Sequence, residues 1–155
     1  MSILAKGIVL IAVGIASTAA AAGSPPPPAT EYYRETDPGT TNLPFSEAVR
    51  AGNMLYLSGA IGTDQSGEPV AGGMAAEAKQ TMDNIGAVLK RHGSSFDQVV
   101  QCTVALADIK DWPAFNDIYR RYFTLHFPAR MAFATAGLAL GARVEVQCNA
   151  TLGAN

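Results

Sequence analysis

Arg130 and Glu145 are the residues best suited to chemistry in the sparsely charged stretch 126–146. A guanidinium presents a planar fork of donors that takes a carboxylate bidentately, and a glutamate can orient a water or move a proton. Spacing alone leaves open a structural ion pair or two solvated strand charges. In an extended strand alternate side chains share a face. Arg130 then lies with Ala132, Ala134 and Ala136, small neighbours that leave space around it, while Met131, Phe133 and Thr135 point the other way. In residues 144–152 the apolar set is Val144, Val146, Cys148, Ala150 and Leu152, and Glu145 opens a polar strip continued by Gln147, Asn149 and Thr151.

Further elements are needed to position these two strands. Residues 45–50 and 54–58 read as a hairpin around Gly52-Asn53, since glycine takes the positive φ of a two-residue turn. The glycine-rich residues 58–73 contain no phosphate-loop spacing and are expected to turn the backbone, with a turn at 64–67. Residues 74–92 carry Ala78, Met82, Ile85 and Leu89 at helical spacing, and the stop signal is Lys90, Arg91 and His92 before Gly93. His92 is a helix-end residue on this reading. Residues 99–107 alternate as a strand whose second face is only mildly polar. A second helix spans about 113–123, entered through Asp111 or Trp112, with Trp112, Phe115, Ile118, Tyr119 and Tyr122 as its inner stripe and Asn116 beside it. The order is ββαβαββ, an α+β pattern. Two helices cover one face of such a sheet, so the other face calls for self-association.

The chain has 155 residues, 48% of them hydrophobic, which suits one globular domain. Residues 1–22 hold one cation, Lys6, an apolar middle and an alanine-rich end, the pattern of a secretory signal peptide cleaved after Ala22. A retained anchor would need about 20 predominantly apolar residues, so no membrane association is expected after cleavage, and the expected location is periplasmic or secreted. Residues 23–42 read as a proline-rich linker, stiff at 25–28, with only local packing for Tyr32 and Tyr33. The domain is expected over 43–155. Losing residues 1–22 leaves ten basic and thirteen acidic residues, a net charge of −3. That balance and the scattered cations argue against a nucleic-acid partner.

Export lets disulfides persist, so Cys102 and Cys148, each on the apolar face of its strand, are candidates to pair. Two buried free thiols acting as small hydrophobes is the favoured reading, because sequence cannot bring their Cα atoms within bridging distance. No metal site is expected: His92 and His126 lack ligand spacing with the cysteines. His126 is given no role, and Asn149-Ala150-Thr151 fits the glycosylation rule only by chance, since it falls in a core strand.

From Leu43 onward the chain resembles the Rid family, also called YjgF or L-PSP, of reactive-imine deaminases. The residues that carry the resemblance are LPFSEAV (43–49), YLSGAIG (56–62), GGMAAEAKQTMDNIGAVLKRHG (72–93), VVQCTVALADIKDW (99–112), FNDIYRRYF (115–123), FPAR (127–130) and ARVEVQ (142–147). The resemblance implies a chorismate-mutase-like α+β fold with a mixed six-stranded sheet, two helices on one face, and a homotrimer whose sites lie between subunits. It implies that Arg130 pairs with a substrate carboxylate and that Glu145 handles water or ammonia, with Phe45, Ser58, Gly59, Asn116 and Ala132 at pocket-wall positions. The implied reaction is hydrolysis of a small 2-imino acid, or its enamine, without metal or organic cofactor. The chain departs from the family pattern at Phe45, where many members have tyrosine, at Ala132, where some have cysteine, at Gln147, where a second glutamate is usual, and at Ala139-Leu140, which replace Pro-Lys. Two readings from other classes stand beside this one. One is a trimeric small-carboxylate binding protein that keeps Arg130 without turnover. The other is a ribonuclease, which the acidic balance and the absence of a histidine pair oppose.

Overall fold

The computed structural model describes residues 29–34 and 43–153. The expected signal peptide and the proline run lie outside those residues. In chain order the elements are β1 (Glu31–Tyr33), β2 (Ala48–Ala51), β3 (Met54–Leu57), β4 (Ala60–Ile61), α1 (Gly73–Arg91), β5 (Val99–Leu106), α2 (Trp112–Tyr119), β6 (Ala129–Ala134) and β7 (Val144–Thr151). The sheet runs β1-β2-β3-β7-β5-β6, with β4 also on β7. Only the β5–β6 pair is parallel, as the α2 crossover between them permits. Both helices lie on one face, and the α+β class stands.

The sheet has seven strands among the described residues, two more than the five of the order ββαβαββ and one more than the six that the resemblance implied. One addition comes from the stretch expected to be linker: Glu31–Tyr33 pairs antiparallel with β2. Tyr33 is held there by stacking on the His92 ring at 4.2 Å, and His92 Nε2 in turn bonds Glu47 Oε1 at 2.7 Å. Arg91 binds the same buried carboxylate at 2.6 Å. The other addition comes from a split of the strand beside β7 into β3 and β4. Tyr56 pairs with Asn149 and Ala60 with Val146, so residues 57–59 face only 147–148 across a bulge.

α1 buries Met74, Ala78, Thr81, Met82, Ile85 and Leu89, a stripe at spacings of three and four that seats the helix on β7. It ends as expected, with His92 as C-cap and Gly93 at φ 75°. α2 stops at Tyr119, earlier than its pattern suggested, and 120–122 tighten into a 3-10 turn. Phe115, Ile118 and Tyr119 are buried, but Trp112 is exposed. Helical side chains lean toward the N-terminus, so a side chain on the first helical residue projects past the core.

The free-thiol reading is overturned: Cys102 and Cys148 form a disulfide. The reason is strand order. β7 lies antiparallel beside β5, and the register sets Cys102 directly opposite Cys148, with Cα atoms 4.1 Å apart, the close spacing of a non-hydrogen-bonded pair.

Candidate functional site

Arg130 stands on β6, the sheet's last strand, in register with Cys102. Alternation along β6 turns Arg130 and Ala132 toward the helices, and Met131 and Phe133 away from them. The space that the small neighbours seemed to leave is occupied by aromatic rings. Phe115 and Tyr119, one turn apart on α2, lie under the guanidinium, with its carbon 5.9 Å from the first centroid and 4.7 Å from the second. The ring faces attract the cation, and Arg stacks on them better than Lys would. The Arg130 side chain makes no hydrogen bond or ion pair among the described residues. Two buried polar atoms nearby on α2, Asn116 Oδ1 and the Tyr119 hydroxyl, also lack a partner among them. Burial pushes the Tyr119 hydroxyl up to about 12, against the opposing pull of the Arg130 charge, so it stays protonated.

Glu145 lies on the opposite face. Along β7 the residues alternate buried and half-buried, with Val144, Val146, Cys148 and Ala150 in the core and Glu145, Gln147, Asn149 and Thr151 on the open side, as expected. The Glu145 carboxylate lies directly over Gly59. A Cβ at Gly59 would overlap Oε1 and stand 3.0 Å from Cδ, so the bare backbone there is what gives the carboxylate its place. The bulge that presents Gly59 is pinned on two sides. Ser58 N donates to Glu47 O at 2.9 Å and Ser58 Oγ to Ser46 O at 2.7 Å, while Gln147 Nε2 donates to Leu57 O at 3.0 Å and Asn149 Oδ1 at 2.7 Å. A glutamate at 147 would have no donor for that carbonyl. Around Glu145 is a hollow of about 260 Å³ lined by Thr103, Ala105, Phe133, Thr135, Leu138 and Gln147. The entry into β7 is fixed from α1, where the buried Glu77 accepts from Arg143 N at 2.7 Å. Just before it, Leu140 is the one non-glycine with positive φ among the described residues, at 55°.

Residues 36–152 match the family described as Endoribonuclease L-PSP. The chain belongs to this family. Among its relatives in it, the 2-iminobutanoate/2-iminopropanoate deaminase of Homo sapiens is 47% identical over 71% of this chain and 81% of its own length. The Reactive Intermediate Deaminase A, chloroplastic, of Arabidopsis thaliana is 37% identical over 70% of this chain and 59% of its own. Among solved structures, a Rid-family protein of unknown function from Yersinia pestis is 30% identical with a TM-score of 0.74, covering 80% of this chain and 100% of that one. The RidA structure from the Antarctic bacterium Psychrobacter sp. PAMC 21119 is 30% identical with a TM-score of 0.69, over 78% and 94% of the two chains.

In this L-PSP family chain the expected site residues fall into two groups. Arg130 and Ala132 lie on the helix side of the β6 edge, and Asn116 sits on α2 next to Phe115, whose ring lies under the guanidinium. Glu145, Gly59 and Ser58 gather at the β3–β4 bulge, and Phe45, half exposed, lies next to the Ser46 carbonyl that Ser58 bonds. The sheet separates the groups, so one chain does not bring Arg130 to Glu145 and the ion-pair reading fails within a chain. Tyr119 is the site-side residue that sequence reading missed. Its place in an aromatic stripe read as core, and it is core, but one ring face carries the arginine.

Proposed function

We propose that this chain is a hydrolytic deaminase of small 2-imino acids and their enamine tautomers, 2-iminopropanoate and 2-aminoacrylate among them, releasing a 2-oxo acid and ammonia. The observation that carries the reading is Arg130, a guanidinium held on a Tyr119 ring face with no carboxylate of its own among the described residues. Such a group is ready for the carboxylate of a ligand. Glu145 likewise has no ion-pair or hydrogen-bond partner there, which leaves its oxygens free to hold water. Relatives named as imine deaminases, at up to 48% identity, support the same reaction class. The ribonuclease reading gains nothing from the histidines, since His92 is engaged by Glu47 at the far edge of the sheet.

With Arg130 gripping the carboxylate, the adjacent C=N carbon is fixed, and a water oriented by Glu145 attacks it. The C–O bond forms as Glu145 takes the water proton and returns it to nitrogen. The tetrahedral carbinolamine then collapses: Glu145 takes the hydroxyl proton and passes it to the amino nitrogen, the C–N bond breaks with its electron pair on nitrogen, ammonia leaves, and the hydroxyl oxygen becomes the 2-oxo group. Because Arg130 and Glu145 occupy opposite faces of one sheet, the working site takes them from two copies, and we assign it to the interfaces of a homotrimer. The open face supports association, since Tyr56, Met131 and Phe133 stand 44%, 56% and 41% exposed on it.

The test is ammonia release from freshly generated 2-iminopropanoate and 2-iminobutanoate. Arg130→Ala is expected to raise KM at least tenfold, and Glu145→Gln to lower kcat by about 10²- to 10⁴-fold with KM held. Wild-type protein that releases no ammonia above the buffer rate would remove the reading. If the same protein bound 2-oxo acids saturably, the carboxylate-binding alternative would take its place. Export to the periplasm or medium belongs to the proposal too, supported by the Cys102–Cys148 disulfide, a bond that persists in oxidising compartments.

A further inference from the structure

The Arg130 neighbourhood holds an unexplained group. Tyr119 is 4% exposed, and its hydroxyl has no hydrogen-bond partner among the described residues. Buried hydroxyls in native proteins are almost always paired, and a phenylalanine would fill the same volume without leaving a donor unsatisfied. The other polar groups of the chain's aromatic cluster are satisfied: the Tyr122 hydroxyl, three residues on, donates to Asp83 Oδ1 at 2.8 Å. The unpaired hydroxyl therefore belongs to the one tyrosine whose ring carries the arginine.

From this contrast we infer that Tyr119 is the positioning residue of the carboxylate subsite: its ring sets the plane of the Arg130 guanidinium, and its hydroxyl donates to the ligand carboxylate once the guanidinium moves out to meet it. The inference rests on the reading of Arg130 as the carboxylate-binding residue. The parts fit physically. The guanidinium carbon lies 4.7 Å from the Tyr119 centroid, close enough to restrict it to stacked orientations. A carboxylate has more lone pairs than one guanidinium fork fills, and a phenol kept protonated by burial is a suitable further donor. Asn116, three residues earlier on the same helix and so a neighbour of Tyr119 on its surface, carries the other buried polar atom without a partner among the described residues, its amide oxygen. That oxygen would repel a carboxylate but suits the N–H that an imino acid carries beside it. Cation, phenol and amide then match an anion and a neighbouring donor.

The experiment titrates 2-oxobutanoate, a stable carboxylate, and 2-oxobutanamide, its neutral counterpart, into wild type, Tyr119→Phe and Tyr119→Leu, and measures KM and kcat on 2-iminobutanoate. Tyr119→Phe keeps the ring and removes the hydroxyl, and should weaken 2-oxobutanoate about tenfold while leaving the amide unchanged. Tyr119→Leu removes the platform as well, and should weaken the carboxylate further, toward the level of Arg130→Ala. In both variants the loss should appear in KM with kcat held within about twofold. Carboxylate binding by Tyr119→Phe equal to wild type would overturn the hydroxyl's role, and a parallel loss for acid and amide would reduce Tyr119 to packing. Should Tyr119→Leu fail to fold, the phenylalanine variant decides alone. Wild type that binds 2-oxobutanoate without turning over imine would end the deaminase reading yet leave this inference to be judged on the affinities. Wild type that binds no 2-oxo acid would end both.

Discussion

Glu145 is placed by what its neighbour lacks. Its carboxylate occupies the volume that a Gly59 side chain would fill, and Gly59 does not need the left-handed backbone that reserves other positions for glycine. The residue is therefore replaceable for the backbone and not for the carboxylate. Gly59→Ala should fold with stability within about 1 kcal/mol of wild type. It should lower kcat on 2-iminobutanoate roughly a hundredfold, because a carboxylate displaced by about an ångström no longer aligns its water. KM should change little, since Arg130 is on the other face. A large loss of stability, or an unchanged kcat, would show that the carboxylate's seat is not what this glycine provides. The same glycine was legible as a pocket-wall position only by resemblance. Nothing in its spacing announced a glutamate 86 residues later in the chain.

At the level of elements, what the sequence revealed is what is local. The α1 stripe, its glycine stop, the Gly52 hairpin and the alternation of β7 all arise from contacts within a few residues of chain, and all appear where periodicity put them. What escaped depends on partners distant in sequence. Glu31–Tyr33 is a strand because β2 pairs with it and His92 stacks on Tyr33, and three residues beside a proline run carry no alternation of their own. Alternation gave Arg130 its companions on β6 but could not say that α2 would cover that face. The disulfide is the clearest case, because the order β7–β5 makes the two cysteines neighbours across 46 residues. Closing such a loop stabilises the fold by up to about 4 kcal/mol in the chain-entropy view. Cys102→Ala with Cys148→Ala should therefore lower unfolding free energy by roughly 2–4 kcal/mol, measured in urea without reductant. Protein taken from its own host should start at or near Gly23 and show no reactive thiol after denaturation, as export requires. Wild-type protein from that host with two free thiols would remove the disulfide's stabilising role and the support it lends to export.

In the proposed assembly the two halves of the site meet, and this makes its geometry testable without a further structure. Arg130 faces the helices at the β6 edge and Glu145 faces the open side, so neither can complete the other within one chain. If each site takes Arg130 from one copy and Glu145 from the next, then Arg130→Ala and Glu145→Gln damage different chains of the same interface. Each variant alone gives no intact site. Co-expressed in equal amounts with different tags and allowed to assemble at random, they should give hybrid trimers in which one site in three pairs an intact Arg130 with an intact Glu145. Assayed with substrate well below KM, the doubly tagged fraction should return to about a third of wild-type activity, while each parent stays at about a tenth or below. A chain that supplied both residues to its own site would give the opposite result, because no hybrid would then contain an undamaged site and mixing would restore nothing. Restoration would also fail if the protein were a monomer, and the sedimentation of the tagged mixture separates that case from an intrachain site. Recovery by mixing thus reports directly on the arrangement that the two sheet faces demand.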